Sequence, residues 1–469
     1  MQRRIDPEGR PQRAASSAEG AKESTMSSLA SSLQVPLLTG NLTALVHRPG
    51  KDERPRNQDY AVGTMTMLFL AAYYKAYQEL YRHYKKNVNA YRHPFDRQYR
   101  YNEMKRVCYY LLNEPQLSPE AVDVSLCTHL VAGALAVSPD GRLVPRRPGH
   151  DALIGRLAAR AGIKVLVSVG AHGPGALSHV VASRHARLRF IRSAVGLVRR
   201  HKLSGLDLDW EFPGWYSGHV HDRFFFKVLV QEFRDYMNDT DKEFLLTASV
   251  SGLPAVILTS YEVRALARKL DFVNLMAYDL NFFSPHSPFT NHHSPLFHKH
   301  RDTLTVVRDL LAPALEQASA VQHWAELGMP PEKMVLGIPL YARTFRLAHR
   351  RQHGWGSRAL GPGLGRGFLP FNQASSSRPH LTRASSVCKF LKKGAVEVMD
   401  KEAHAPYASK GRDWISYDSV QSAVFKSLWA EAMGLGGVMP YALQWDDWQG
   451  HCDNETRFPI HRAIWKAIG

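Results

Sequence analysis

From about residue 105 onward, short apolar runs alternate with longer stretches in which apolar positions return every three to four residues. The runs fall at 106–112, 128–137, 164–170, 205–211, 244–250, 271–278, 334–341 and 436–442, each of strand length. Helical-period stretches lie between most of them, at 183–202, 222–238, 302–327 and 418–433. This alternation predicts a parallel sheet, and eight strands are enough to close it. The expected fold is therefore α/β, a (β/α)8 TIM barrel with its chemistry at the C-terminal ends of the strands.

The interval between the seventh and eighth runs breaks the rhythm. About 95 residues separate them, Gly/Pro-rich at 354–367 and strand-like near 395–399 and 414–417. A structureless loop of that length is uncommon in a compact domain. A small α+β insertion is expected between strands seven and eight, at about 346–417, inside a barrel spanning 105–469.

Residues 1–58 are rich in Ser, Ala, Arg, Gly and Pro and show no sustained apolar period. The segment 1–104 thus reads as basic and largely disordered, apart from an apolar stretch at 61–74. That stretch is short of the roughly 20 residues a helix needs to cross a bilayer. Two readings stay open for it: an internal signal or membrane anchor, or an amphipathic helix leading into Tyr77, Leu80, Tyr81 and Tyr84.

Composition adds boundaries. Of 469 residues, 44% are hydrophobic and 22% charged, which suits a globular protein and excludes collagen-like, mostly disordered or polytopic membrane classes. The formal charge of +18 is strongly basic. No basic run is interleaved with base-stacking aromatics, so no nucleic acid is expected as a partner. Cys108, Cys127, Cys388 and Cys452 lack the close spacing of a zinc site, and no metal is expected; two structural disulfides are possible. Asn-x-Ser/Thr triplets at Asn41, Asn238 and Asn454 agree with a secretory route that ends outside the cell or at a membrane anchor.

The densest chemistry lies in Ser204-Gly205-Leu206-Asp207-Leu208-Asp209-Trp210-Glu211-Phe212-Pro213. Side chains of a strand alternate faces, so Asp207, Asp209 and Glu211 share one side while Leu206, Leu208 and Trp210 share the other. Three carboxyls about 7 Å apart along a buried strand cannot all ionise cheaply. At least one proton should be held near neutral pH, which is what a general acid needs. A solvated acidic strand end or a divalent-cation site is the bland alternative, and the apolar flanks argue against it.

Here the sequence resembles the chitinases and chitinase-like proteins of glycoside hydrolase family 18. Its signature Asp-Gly-x-Asp-x-Asp-x-Glu is matched from Gly205 to Glu211, with Ser204 in place of the first Asp. Further motifs follow in order: Cys108-Tyr109; Ser125-Leu126-Cys127-Thr128-His129-Leu130; Ser168-Val169-Gly170; 271–279, ending in Met276-Ala277-Tyr278-Asp279; Leu336-Gly337-Ile338-Pro339-Leu340-Tyr341 with Arg343; and Gly436-Gly437-Val438-Met439. The resemblance implies disulfides Cys108–Cys127 and Cys388–Cys452, no cofactor, and chitin or N-acetylglucosamine oligosaccharides as the partner. It implies retaining, substrate-assisted hydrolysis with Glu211 as acid, Asp209 on the substrate acetamide and Asp207 tuning Asp209. Tyr278 would hold the acetamido carbonyl, Asp279 and Arg343 would bind hydroxyls, and Met276, Tyr341, Tyr441 and Tyr109 would shape the sugar pocket.

Departures accompany the match. Tyr441 stands where the family has a Trp, Ala132-Gly133-Ala134 replaces a Tyr-Ala-Phe run, and Gly170-Ala171-His172 replaces Gly-Gly-Trp. Each removes apolar area that would stack on a sugar. Trp215 and Tyr216 are candidate replacement platforms. His286, His292, His293, His298 and His300 cluster in one stretch, read as a solvated loop flanking the groove rather than as a metal or pH-sensing site. The expected function is chitinase-type hydrolysis; the alternative is a non-catalytic chitin-binding lectin on the same fold.

Overall fold

The computed structural model describes residues 103–469 apart from 115, 161, 173–176, 216–217, 239–242, 298–314, 373–385 and 453–455. The stretch 61–74, Asn41, Asn454, Tyr216, His298 and His300 lie outside the described residues. Among the described residues, no helix is long and apolar enough to cross a membrane.

The chain runs through β1 (Lys105–Leu111), β2 (His129–Val137), the two-residue β3 (Leu143–Val144), β4 (Lys164–His172), β5 (Gly205–Glu211), β6 (Leu245–Ser251), β7 (Val273–Met276) and β8 (Met334–Pro339). It then passes through β9 (Tyr341–Leu347), β10 (Ala359–Pro362), β11 (Phe368–Pro370), β12 (Val396–Asp400), β13 (Ala405–Lys410) and β14 (Asp413–Ser416), and returns with β15 (Gly437–Tyr441). Strand order β1-β15-β8-β7-β6-β5-β4-β2, with β1 paired in parallel to both β15 and β2, closes the eight-stranded barrel. The small β3 folds back antiparallel on β2.

Helices cover the outside: α1 (His150–Ala158), α2 (Ser178–Ala182), α3 (Arg184–Arg200), α4 (Asp222–Asn238), α5 (Pro254–Ser260), α6 (Val263–Lys269), α7 (Gln317–Glu326), α8 (Val387–Lys392), α9 (Val420–Ala432) and α10 (Pro459–Ile468). Most bury an apolar stripe; α9 instead buries Ser422, Ala423, Lys426, Ser427 and Ala430. In α3 the inward residues are Phe190, Ile191, Ala194, Val195, Leu197 and Val198, and the Ser183 hydroxyl caps the first turn through Ala186 N. In α9 a Ser419–Ser422 capping box fixes the start.

Three boundaries differ from the sequence reading. The run at 334–341 is two strands: β8 stays in the barrel, whereas β9 opens a second, antiparallel sheet of order β10-β9-β14-β13-β12, with β11 on β9. The run at 271–278 forms a strand only to Met276, so Tyr278 and Asp279 lie just past its end. Of the helix expected at 302–327, Gln317–Glu326 is helical and 302–314 lies outside the described residues.

Both expected disulfides form. Cys108–Cys127 ties β1 to the turn before β2, and Cys388–Cys452 ties α8 to the segment after β15. By the chain-entropy account, closing loops of 19 and 64 residues stabilises the fold by about 3 to 4 kcal/mol each.

Candidate active site

Alternation along β5 sends Leu206, Leu208 and Trp210 into the packing and leaves Asp207, Asp209 and Glu211 on the barrel side. Trp210 meets Phe226 of α4 edge-on at 5.8 Å between ring centres. Asp207 is completely buried. It accepts hydrogen bonds from Thr247 Oγ1 (2.5 Å), Tyr109 Oη (2.6 Å), Ser249 Oγ (2.8 Å) and Asn274 Nδ2 (3.1 Å). Burial pushes its carboxyl up, the four donors pull it back, and the outcome remains above the ordinary aspartate value.

Past Asp207, at the C-terminal ends of the strands, the barrel opens into a cavity of about 250 Å³. Asp209 and Glu211 reach it from β5 and Tyr109 from β1. Met276, Tyr278 and Asp279 enter at the end of β7, Tyr341 and Arg343 from β9, and Tyr441 from β15. Every catalytic and pocket residue implied by the family resemblance thus lines this cavity, except Asp207, which lies beneath it and touches two lining residues, Tyr109 and Ser249.

Tyr278 is held between rings: stacked on Tyr441 (centres 6.0 Å, 25°) and edge-on to Tyr341 (6.0 Å, 81°). Gly337 of β8 makes room for it. A Cβ at that position would sit 2.7 Å from Tyr278 Cε1 and 2.6 Å from the Leu275 carbonyl oxygen. Burial first, then nearby tyrosine and carboxyl groups, hold the hydroxyls of Tyr109, Tyr278 and Tyr341 well above the usual phenol value. They stay protonated and able to donate.

Asp279 takes the left-handed backbone conformation at φ 56°. Arg343 grips its carboxylate with two hydrogen bonds, Nε to Oδ1 at 2.6 Å and Nη2 to Oδ2 at 2.5 Å. His293 Nδ1 stands 3.4 Å from the same Oδ1. Burial raises the carboxyl, yet His293 and Arg343 outweigh it and leave Asp279 well below the ordinary range, ionised at any working pH.

Ser249, Phe368 and Trp445 also line the cavity and were not read from the sequence, and Met439, read only as a motif member, lines it too. Phe368 belongs to the insertion and stacks on Tyr341 at 4.9 Å. Trp445 stands four residues after Tyr441 and meets it edge-on at 5.3 Å, so an indole enters the cavity wall just past the strand. A Trp beside two acids directly after the last barrel strand was the available signal. Trp215, by contrast, donates its Nε1–H to Thr259 Oγ1 (2.8 Å) and is not among the lining residues.

The histidine-rich loop departs from the solvated reading. His286 is exposed, but His292 and His293 are buried, at 1% and 0% exposure. A buried Lys426 of α9 pins this loop by donating to Ser294 O (2.6 Å) and to Asp418 Oδ2 (2.8 Å). His292 Nε2 lies 3.3 Å from Asp400 Oδ2. Among the described residues, no group of three or more His, Cys, Asp or Glu side chains is placed to hold a metal ion.

The model of glycosyl hydrolases family 18 matches residues 105–446. Oviduct-specific glycoprotein of Ovis aries is 31% identical over 384 residues, covering 77% of this chain and 66% of the relative. Chitotriosidase-1 of Mus musculus is 31% identical over 385 residues, covering 77% of each. The chain spans about half to two thirds of the oviduct-specific glycoproteins of Homo sapiens and Ovis aries. Among solved structures, human YKL-39, a pseudo-chitinase with retained chitooligosaccharide binding properties, superposes with a TM-score of 0.69 at 29% identity, over 78% of this chain and all of the other. An immunomodulatory active chitinase from Trichuris suis gives 0.69 at 25% identity with the same coverage.

Proposed function

The chain belongs to glycosyl hydrolases family 18, and from that premise we propose that it hydrolyses β-1,4 linkages in chitin or chito-oligosaccharides by a retaining, substrate-assisted mechanism. The observation that carries this reading is the arrangement on β5: a carboxyl buried under four donors at Asp207, then Asp209 and Glu211 facing one cavity. Glu211 donates its proton to the glycosidic oxygen as the C1–O bond breaks. The substrate's acetamido oxygen attacks C1 from the other face, which is why a second protein carboxylate is not the nucleophile. Asp209 accepts from the acetamido N–H and balances the positive charge of the oxazolinium. Water then adds at C1, giving its proton to Glu211, and the product keeps the β configuration.

The surrounding residues take subsidiary parts. Tyr278 donates its hydroxyl to the acetamido carbonyl, and Asp279 with Arg343 binds sugar hydroxyls. Met276, Tyr341, Tyr441 and Tyr109 form the walls. Chitin-derived oligosaccharides are the partner, and the two disulfides support a secretory route, with the barrel outside the cell and 61–74 acting as signal or anchor.

A second reading, oligosaccharide binding without turnover, is supported by the fold shared with a pseudo-chitinase that retains chitooligosaccharide binding. Glu211 in the cavity favours hydrolysis. Chito-oligosaccharides of several lengths, followed by NMR for anomeric products and by calorimetry for binding, separate the two. Early β-anomer supports the hydrolase, saturable binding without product supports the lectin, and neither signal removes both.

A further inference from the structure

The outer face of α3 carries a row of cations that neither the fold nor the cavity uses. The helix Arg184–Arg200 contains six arginines and no acid. Arg187 turns inward and grips Glu232 with two hydrogen bonds, 2.8 and 2.7 Å. Arg184, Arg189, Arg192, Arg199 and Arg200 are exposed, and all but Arg200 are without an ion pair among the described residues. Positions 189, 192, 196 and 199/200 are three or four apart, so they form one stripe, about 17 Å long at 1.5 Å per residue.

Neighbouring elements extend the stripe and neutralise it only in part. The turn before β3 is fastened beside Arg192 by Leu143 N donating to Ser193 Oγ (3.0 Å), which brings exposed Arg142 alongside. Two acids border the row: Asp140 pairs with Arg142 at 3.1 Å and feels Arg189, and Asp151 lies 3.0 Å from His201 Nε2 and 3.8 Å from Arg200, which leaves Arg192 and Arg199 without an acid beside them in an ion pair among the described residues. Gly196 occupies the middle of the row. Its φ is not in the left-handed region, and a Cβ there would meet nothing within 4 Å. Neither conformation nor packing requires glycine at a position where it costs about 1 kcal/mol against alanine. Its consequence is a low, open stretch of backbone between Arg192 and Arg199.

We propose that this face is a docking surface for a linear sulfated polysaccharide. Arginine forks match oxyanions bidentately, and a row of them suits a chain with repeated sulfates. The stripe presents no exposed aromatic ring to stack on a base and no large apolar side chain to enter a bilayer. Two disulfides fit an oxidising compartment, where acidic glycans rather than nucleic acids are the prevalent polyanions.

The test uses the full chain with heparin as probe, and unsulfated dextran, a DNA oligonucleotide and phosphatidylserine vesicles beside it. The double variant Arg189→Glu/Arg192→Glu is compared with Arg350→Glu/Arg351→Glu, an equal charge change on an exposed loop of the insertion. The α3 variant is expected to raise the heparin Kd at least about tenfold and to flatten its salt dependence, while the loop variant shifts it less than about twofold. Gly196→Glu, which puts an acid in open space within the row, should weaken heparin binding in the same direction with no loss of thermal stability. Equal losses in the two double variants would reduce the effect to overall charge and overturn the proposal. Tighter binding to DNA or vesicles than to heparin, with the same dependence on Arg189 and Arg192, would overturn the polysaccharide assignment.

Discussion

Tyr109 Oη stands 2.6 Å from Asp207 Oδ2, joining the first barrel strand to the fifth beneath the cavity. The same hydroxyl lies 2.7 Å from Ser249 Oγ, which itself donates to Asp207, so the three groups form a closed polar triangle in a buried site. Tyr109→Phe removes one of four donors to a buried carboxyl and leaves the ring in place against Tyr441. Stability should fall by about 1–3 kcal/mol in denaturant unfolding. Because Asp207 then holds its proton more tightly, kcat should fall more than KM rises. Unchanged stability would mean the triangle is not formed in solution.

Glu211→Gln keeps the shape of the side chain but cannot give up a proton. Turnover of chito-oligosaccharides should drop by about 10²–10⁴-fold, with affinity by calorimetry within about threefold of the parent. A variant that still turns over at the parental rate places the acid elsewhere.

Arg343→Lys tests the grip on Asp279. A lysine offers a point charge in place of a fork, so one of the two hydrogen bonds to the carboxylate is lost. The expected effect is a KM raised by about tenfold with a smaller change in kcat, since both residues lie in the wall rather than on β5. A loss confined to kcat would argue that the pair acts on the reacting bond itself.

The three carboxyls of β5 were legible because the strand alternates strictly, and the pocket residues because they belong to motifs that resemble those of the family. Asp207, Asp209 and Glu211 needed only the two-residue period of a strand. Tyr278, Asp279 and Arg343 were readable as motif members, although their exact elements were not: Asp279 sits in the left-handed region past β7, and Arg343 lies on a strand of the insertion. Trp445 and Phe368 were missed because nothing periodic points them into the cavity; tertiary packing of a short turn and of the insertion does so. The burial of His292 and His293 was equally invisible. It depends on an ion pair between Lys426 and Asp418, on a helix and its preceding turn more than 120 residues away in sequence.

That ion pair has no exposure on either side. Lys426→Met leaves Asp418 charged and buried with only the hydroxyls of Ser294 and Ser422 as donors. Destabilisation of about 3–5 kcal/mol is expected. The double change Lys426→Met/Asp418→Leu should recover much of it, because no uncompensated charge remains. Urea unfolding of the parent and both variants checks this, and a double variant no better than the single one would show that the pair is not what the loss reports.

His129 supplies a pH dependence with a definite sign. The ring is buried, with Nδ1 2.8 Å from Thr128 Oγ1 and Phe272 edge-on at 5.4 Å. Burial, together with Lys164 and Lys105, lowers its pKa from 6.5 to about 4. Below pH 6.5 the unfolded chain takes up a proton that the folded one refuses until about pH 4. Its contribution to stability is thus fully present above that window and lost as pH falls through it, by up to about 3 kcal/mol. His129→Gln keeps a polar group beside Thr128 but has no proton to gain. The variant's stability should therefore fall by about 2 kcal/mol less than the parent's between pH 7 and pH 4.5. Comparing the two proteins at both pH values cancels the other acid-titrating groups, so parallel losses would remove His129 as the source.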